Sequence, residues 1–216
     1  MSFRLRFGAG DVRVLKEQSA FSGHFRVARV TLEHRCFNGG WSSPLTREVF
    51  HRGDAVGVLP YEPETDTLIL LEQFRPGALR GDASPWMLEL VAGIVEAGES
   101  DADVVHREAQ EEAGCELAEL VPVASFYPSA GACSEHVRLF CGRVLSAGAG
   151  DVHGLDSEGE DILVHRVARS EALEMLADDR IANGHTLVAL QWLALHGERL
   201  RQRWLAAEAS GQQTIE

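Results

Sequence analysis

The stretch from Gly93 to Cys115, G-I-V-E-A-G-E-S-D-A-D-V-V-H-R-E-A-Q-E-E-A-G-C, constrains this chain more than any other. Ser100 is placed to cap a helix, and Gly114 to stop it in the left-handed conformation that glycine adopts without steric penalty. A helix over residues 100–113 turns about 100° per residue, which puts Glu108, Glu111 and Glu112 within an arc of about 100°. Val105, Ala109 and Ala113 fall on the adjoining arc and are expected to face a sheet. Three carboxylates so close repel one another unless something cationic neutralises them. A hard divalent cation with oxygen ligands, its shell completed by phosphate oxygens, meets that need. Arg107, with its planar fork, can hold a neighbouring carboxylate in one orientation.

The segments around this helix read as strands. Residues 12–50 are β-rich, with an extended run from Phe25 to Cys36, a turn at Asn38-Gly39, and a second run leading to Phe50. Short apolar runs at 55–60 and 67–72 flank the turn-rich segment Glu62 to Asp66 and read as a buried hairpin. Further strands are expected at 86–92, 120–126 and 136–145. Residues 146–161, rich in Gly, Asp and Glu, read as a long loop, a kind of segment that often carries function. Ser170 is a candidate cap for a short helix, and Leu187 to Ala207 has helical periodicity. Strands before and after a central helix give an α/β fold, a mixed sheet covered by helices.

Composition narrows the partners. The net charge of −13 argues against a nucleic acid or an anionic membrane, both of which reward basic surfaces. It leaves room for a small polyanion bridged by divalent metal. The four cysteines, Cys36, Cys115, Cys133 and Cys141, form no C-x-x-C pair, so a zinc site is not expected. The start of the chain does not read as a signal peptide, and no stretch approaches a membrane span. The expectation is a reduced, cytoplasmic protein.

The pattern from Gly93 to Cys115 resembles the Nudix box, G-x5-E-x7-R-E-U-x-E-E-x-G-U, where U is apolar. All seven strict positions match: Gly93, Glu99, Arg107, Glu108, Glu111, Glu112 and Gly114. Chance agreement is on the order of one in 10⁸ per start position at ordinary residue usage. From about Asp11 to Leu205 the chain resembles the ADP-ribose pyrophosphatase subgroup. Thr46-Arg47-Glu48 through Gly53, Leu71-Glu-Gln73-Phe-Arg75, Phe126-Tyr-Pro128 through Glu135, His153 through Ile162, and Ala189-Leu-Gln-Trp-Leu carry that likeness.

The resemblance implies a Nudix fold, a mixed β-sheet sandwiched between helices. It places an N-terminal β-rich extension at 1–50, forming a homodimer, and a hydrolase domain at 51–216. It also implies hydrolysis of ADP-ribose to AMP and ribose 5-phosphate with two or three Mg²⁺, Mn²⁺ being able to substitute. By resemblance, Glu108, Glu112, Glu160 and the backbone carbonyl of Ala92 are metal ligands. Glu158 is the general base, with Glu111 and the other box glutamates as alternatives, and Arg107 belongs to the catalytic box. His24, Arg75, Glu135 and Arg47 (the last from the neighbouring subunit) contact substrate. Cys133 reads as incidental, because metal-assisted hydrolysis needs no thiol nucleophile. Two other readings stay open: a Nudix hydrolase of another nucleoside diphosphate sugar, such as a GDP-mannose compound, and a non-catalytic nucleotide sensor.

Overall fold

The computed structural model describes residues 2–80, 84–147, 151–155, 157 and 159–211. Contacts divide the chain into two units, Met1–Asp54 with Tyr127–His136, and Ala55–Phe126 with Val137–Glu216. The larger unit is built around β4 (Ala55–Glu62) and β5 (Thr67–Phe74), the expected hairpin. Its sheet runs β10 (Val152–His153), β11 (Ile162–Ala168), β5, β4, β9 (Val137–Ser146), β8 (Glu116–Phe126). The β4–β9 pair is parallel and the rest are antiparallel, so the sheet is mixed as expected.

Residues 55–61 of β4 are buried without a break, which requires cover on both faces. Side chains alternate between those faces. Val56, Val58, Ile69 and Leu71 pack with Val104, Val105, Ala109 and Ala113 of helix α1 (Asp101–Ala113). Leu59, Tyr61, Leu68 and Leu70 pack with Ala189, Leu190, Leu193 and Trp204 of α3 (Gly184–Gly211). The result is a helix–sheet–helix sandwich.

Strands β4 and β5 pair with each other only at Tyr61↔Leu68 and Glu62↔Thr67. Beyond that point, β6 (Trp86–Glu89) pairs with β5 and β7 (Val91–Ile94) pairs with β4, with Leu90 between them. The single strand expected at 86–92 is therefore two short ones with different partners, a split that periodicity cannot register. The sheet opens there, where Glu89 and Ala92 lie. The short helix α2 (Arg169–Glu174) is capped at Ala168, not at Ser170. Ser170 lies inside its first turn, because the Arg169 N–H bonds to Asp66 O at 2.9 Å and starts the helix early.

In the smaller unit, β1 (Val12–Ser22), β2 (Arg26–His34) and β3 (Leu45–His51) form an antiparallel meander. Residues 132–134 bond to Phe50 alongside β3, through Phe50 N–H to Ala132 O at 2.8 Å and Ser134 N–H to Phe50 O at 3.0 Å. All four cysteines are free thiols. Among the described residues no helix is long and apolar enough to cross a membrane.

Candidate active site

Helix α1 begins as its sequence dictates. The Ser100 hydroxyl accepts from the Asp103 N–H at 3.2 Å, and Asp103 reaches back to the Ser100 N–H at 3.3 Å. It ends at Gly114, whose φ of 56° is left-handed and whose N–H bonds to Gln110 O at 3.1 Å. A side chain there would also meet His153 Cε1 at 2.8 Å. Gly93 on β7 has a different reason to be glycine. A Cβ at that position would overlap the carboxyl group of Glu108. The glycine thus lets the helix lay a glutamate flat against the strand.

Glu112 is buried, 3% exposed, and its Oε2 accepts the Ala92 N–H at 3.0 Å. Burial, together with the charges of Glu108 and Glu160, pushes its carboxyl up to about 8, while the Ala92 N–H and Arg75 pull the other way. Glu108 is raised too, first by burial and then by Glu111 and Glu160, with Arg107 opposing. Arg107 Nη1 donates to Glu108 Oε1 at 2.8 Å and to Glu111 Oε2 at 3.1 Å, and its Nε lies 3.5 Å from Glu99 Oε1. One guanidinium therefore joins the three box glutamates other than Glu112.

Gly154, just past β10, is tied to the same helix. The Gly154 N–H donates to Glu111 O at 3.3 Å, and Glu160 Oε2 accepts the Leu155 N–H at 3.1 Å. Arg75, just past β5, donates from Nη2 to Glu89 Oε2 at 2.8 Å and from Nε to both Glu89 oxygens at 3.1 Å. The charges of Glu89, Glu112 and Glu160 all act on it. The larger unit thus brings together Arg75, Ala92, Arg107, Glu108, Glu111, Glu112 and Glu160. Glu158 lies outside the described residues.

His24, Arg47 and Glu135 belong to the smaller unit. His24 is exposed and meets Phe25 edge-on at 4.5 Å. Arg47 on β3 is exposed and donates to Thr46 O at 2.9 Å. Glu135 is 5% exposed, with Arg52 Nη1 2.9 Å from its Oε1. Glu89 escaped the sequence reading. Its signal was an acid set in the apolar run Trp86-Met-Leu-Glu-Leu-Val-Ala92, where a charge is rarely buried without a partner.

Among the described residues no three acidic, imidazole or thiol side chains already close on one point as metal ligands. Arg107 and the Ala92 N–H occupy oxygens of Glu108 and Glu112 instead. The donors nonetheless fit a hard divalent cation: all are oxygens, and their mutual repulsion is what such a cation relieves. An oxygen-donor acidic site carried on a helix against a split mixed sheet defines the class of this protein. The chain belongs to the NUDIX family, whose domain model matches residues 51–203. It is 42% identical over 207 residues to an ADP-ribose pyrophosphatase of Haemophilus influenzae, covering 94% of this chain and 95% of the relative. It is 34% identical over 174 residues to a GDP-mannose pyrophosphatase of Yersinia pestis, covering 80% and 86%. A crystal structure of an ADP compounds hydrolase shares the fold, with a TM-score of 0.66 and 21% identity, covering 96% of this chain and 98% of that one.

Proposed function

We propose that this enzyme hydrolyses the diphosphate of ADP-ribose, in a metal-dependent reaction, to AMP and ribose 5-phosphate. The observation that carries the reading is the cluster on α1, where buried Glu112 accepts the Ala92 N–H and Arg107 holds Glu99, Glu108 and Glu111 together. The 42% identity to a relative named ADP-ribose pyrophosphatase supports the substrate. A GDP-mannose type of substrate is the second reading, supported by a relative of lower identity and coverage.

Glu108, Glu112, Glu160 and the Ala92 carbonyl would hold Mg²⁺, as two or three ions, with Mn²⁺ able to substitute. Bound there, the metal would supply positive charge opposite the phosphoryl oxygens and lower the cost of generating hydroxide. Arg107 keeps Glu99, Glu108 and Glu111 in register through the bonds described above. Arg75 pairs with the diphosphate through its planar fork. Glu158 accepts the proton of the attacking water, with Glu111 as the alternative base. His24, Arg47 and Glu135 contact the substrate. Residues 1–50 form a homodimer, in which Arg47 serves the neighbouring subunit, and residues 51–216 form the hydrolase domain. The setting is cytoplasmic.

A panel of nucleoside diphosphate sugars assayed with Mg²⁺, scored for AMP release, tests the reading. ADP-ribose is expected to give the highest kcat/KM. EDTA should abolish turnover, and Mg²⁺ or Mn²⁺ should restore it. Preference for a GDP-sugar would replace the substrate, and full turnover in EDTA would remove the metal.

A further inference from the structure

We propose that Gln73 is a positioning residue that frees Arg75 for an anionic ligand by taking over its buried partner, Glu89. The inference rests on the reading of Arg75 as a diphosphate-binding group. Gln73 is 6% exposed, and its Nε2 has no hydrogen-bond partner among the described residues. A buried unpaired donor is unfavourable, so one that persists calls for a functional reason, and an acceptor within its reach is the first to consider.

Strand register says which acceptor. On β5 and β6, Leu71 faces Glu89 and Gln73 faces Met87. Opposed residues in an antiparallel pair share a face, and so do residues two apart on one strand. Gln73 and Glu89 are therefore diagonal neighbours on the face that Leu71 turns toward α1. Glu89 is 4% exposed, and both its oxygens accept from Arg75. Arg75 spends Nε and one Nη2 N–H on that pair, so a side-on bidentate grip on a phosphate, which uses those same two groups of the fork, requires it to leave Glu89. That departure leaves a buried carboxylate short of a donor, which opposes the move. The Gln73 amide supplies a replacement, so Glu89 keeps a donor in both positions of Arg75. No proton moves; hydrogen bonds are exchanged.

The test is the dissociation constant of methylenediphosphonate, a non-hydrolysable diphosphate, measured by calorimetry with Mg²⁺ present, beside steady-state kinetics on whichever diphosphate the enzyme cleaves. Gln73→Met keeps length and removes the donor. It should raise both Kd and KM about tenfold, the scale of one hydrogen bond to a charged group, with kcat within about twofold. In a Glu89→Gln background the same change should move Kd by less than about twofold, because the carboxylate that needs compensation is gone. Gln73→Asn withdraws the donor by one methylene and serves as the second variant should the first not fold. Equal effects in both backgrounds, an unchanged Kd, or a fall in kcat alone would each overturn the proposal. Because the probe carries no nucleoside, these results stand apart from whether ADP-ribose is the substrate.

Discussion

The two units of this chain are unlike in charge and in core. The smaller unit, residues 1–54 and 127–136, carries nine Lys/Arg and six Asp/Glu, which leaves 11 of the 20 basic residues and 27 of the 33 acidic ones to the larger. The larger unit buries both faces of its central strands between helices. In the three-stranded sheet, among the described residues, only Ala28 and Val30 of β1–β3 are buried, while Val14, Leu15 and Phe21 are more than half exposed. The larger unit has two buried apolar cores and an excess of acidic residues. The smaller one has an excess of basic residues and few buried apolar side chains in its sheet. Apolar side chains left exposed together on a sheet mark an interaction surface, which is the physical support for the proposed dimer.

The contrast breaks most completely at Glu112. Glu112→Gln is expected to lower kcat by orders of magnitude, since it removes a charged oxygen donor from the metal site. The same change should raise the Tm of the metal-free protein. The sign follows from the carboxyl's elevation to about 8. An acid whose folded value lies above its unfolded value of about 4.3 favours the folded state while protonated. That contribution is full below the unfolded value and is lost as pH rises through about 8. Unfolding measured in EDTA between pH 5 and 9 should show a loss of stability in the native protein that the variant lacks. A variant that retains full activity would move the metal site elsewhere.

Two residues in the segment after β10 sharpen the division between metal ligand and base. Glu158→Gln should lower kcat by at least about 10²-fold, the lower end of general-base contributions, with KM and Mg²⁺ dependence little changed. Glu160→Gln should instead recover part of its rate as Mg²⁺ is raised. Rescue of Glu158→Gln by metal would transfer the role of base to Glu111 or another box glutamate.

The smaller unit is probed by mixing. Arg47→Ala and Glu112→Gln chains, each deficient alone, should regenerate part of the native rate in a heterodimer if Arg47 serves the neighbouring subunit. Sedimentation as a monomer at assay concentration is the outcome that removes this proposal.

The smallest effect belongs to the clasp on the β4–β5 turn. Asp66 accepts from Tyr61 Oη at 2.6 Å and from Arg169 Nε at 2.7 Å and Nη2 at 3.0 Å. Asp66→Asn, tolerated at its φ of 57°, should lower stability by about 1 kcal/mol at pH 7 with kcat unchanged. The Arg169 hydrogen bonds hold the Asp66 carboxyl below its usual range. The difference from the native protein is therefore full above about pH 4 and closes as pH falls through the depressed folded value. Denaturant unfolding at pH 7 and pH 3 checks both halves.

The α1 site was legible because everything that makes it is local. Cap, stop, apolar arc and acidic arc all lie within 93–115, where the helical repeat alone fixes which residues share a face. The hairpin at 55–72 and the long C-terminal helix were legible for the same reason. Arg75 was singled out by resemblance alone, and its partner Glu89 was missed, because they meet only through β5–β6 register.

By itself, then, the sequence determined the helix and its carboxylate face, which follow from periodicity and capping within a few turns of chain, and the fold class, which follows from the order of strands and helices and from the family resemblance. Only the tertiary structure decided that β6 and β7 part at Leu90, and that Glu108 lies flat on Gly93. It alone also decided that Arg75 rests on a buried glutamate beside a donor with no partner. Those facts depend on strands far apart in sequence choosing neighbours, and that choice is made by packing on both faces of the sheet rather than by any local pattern.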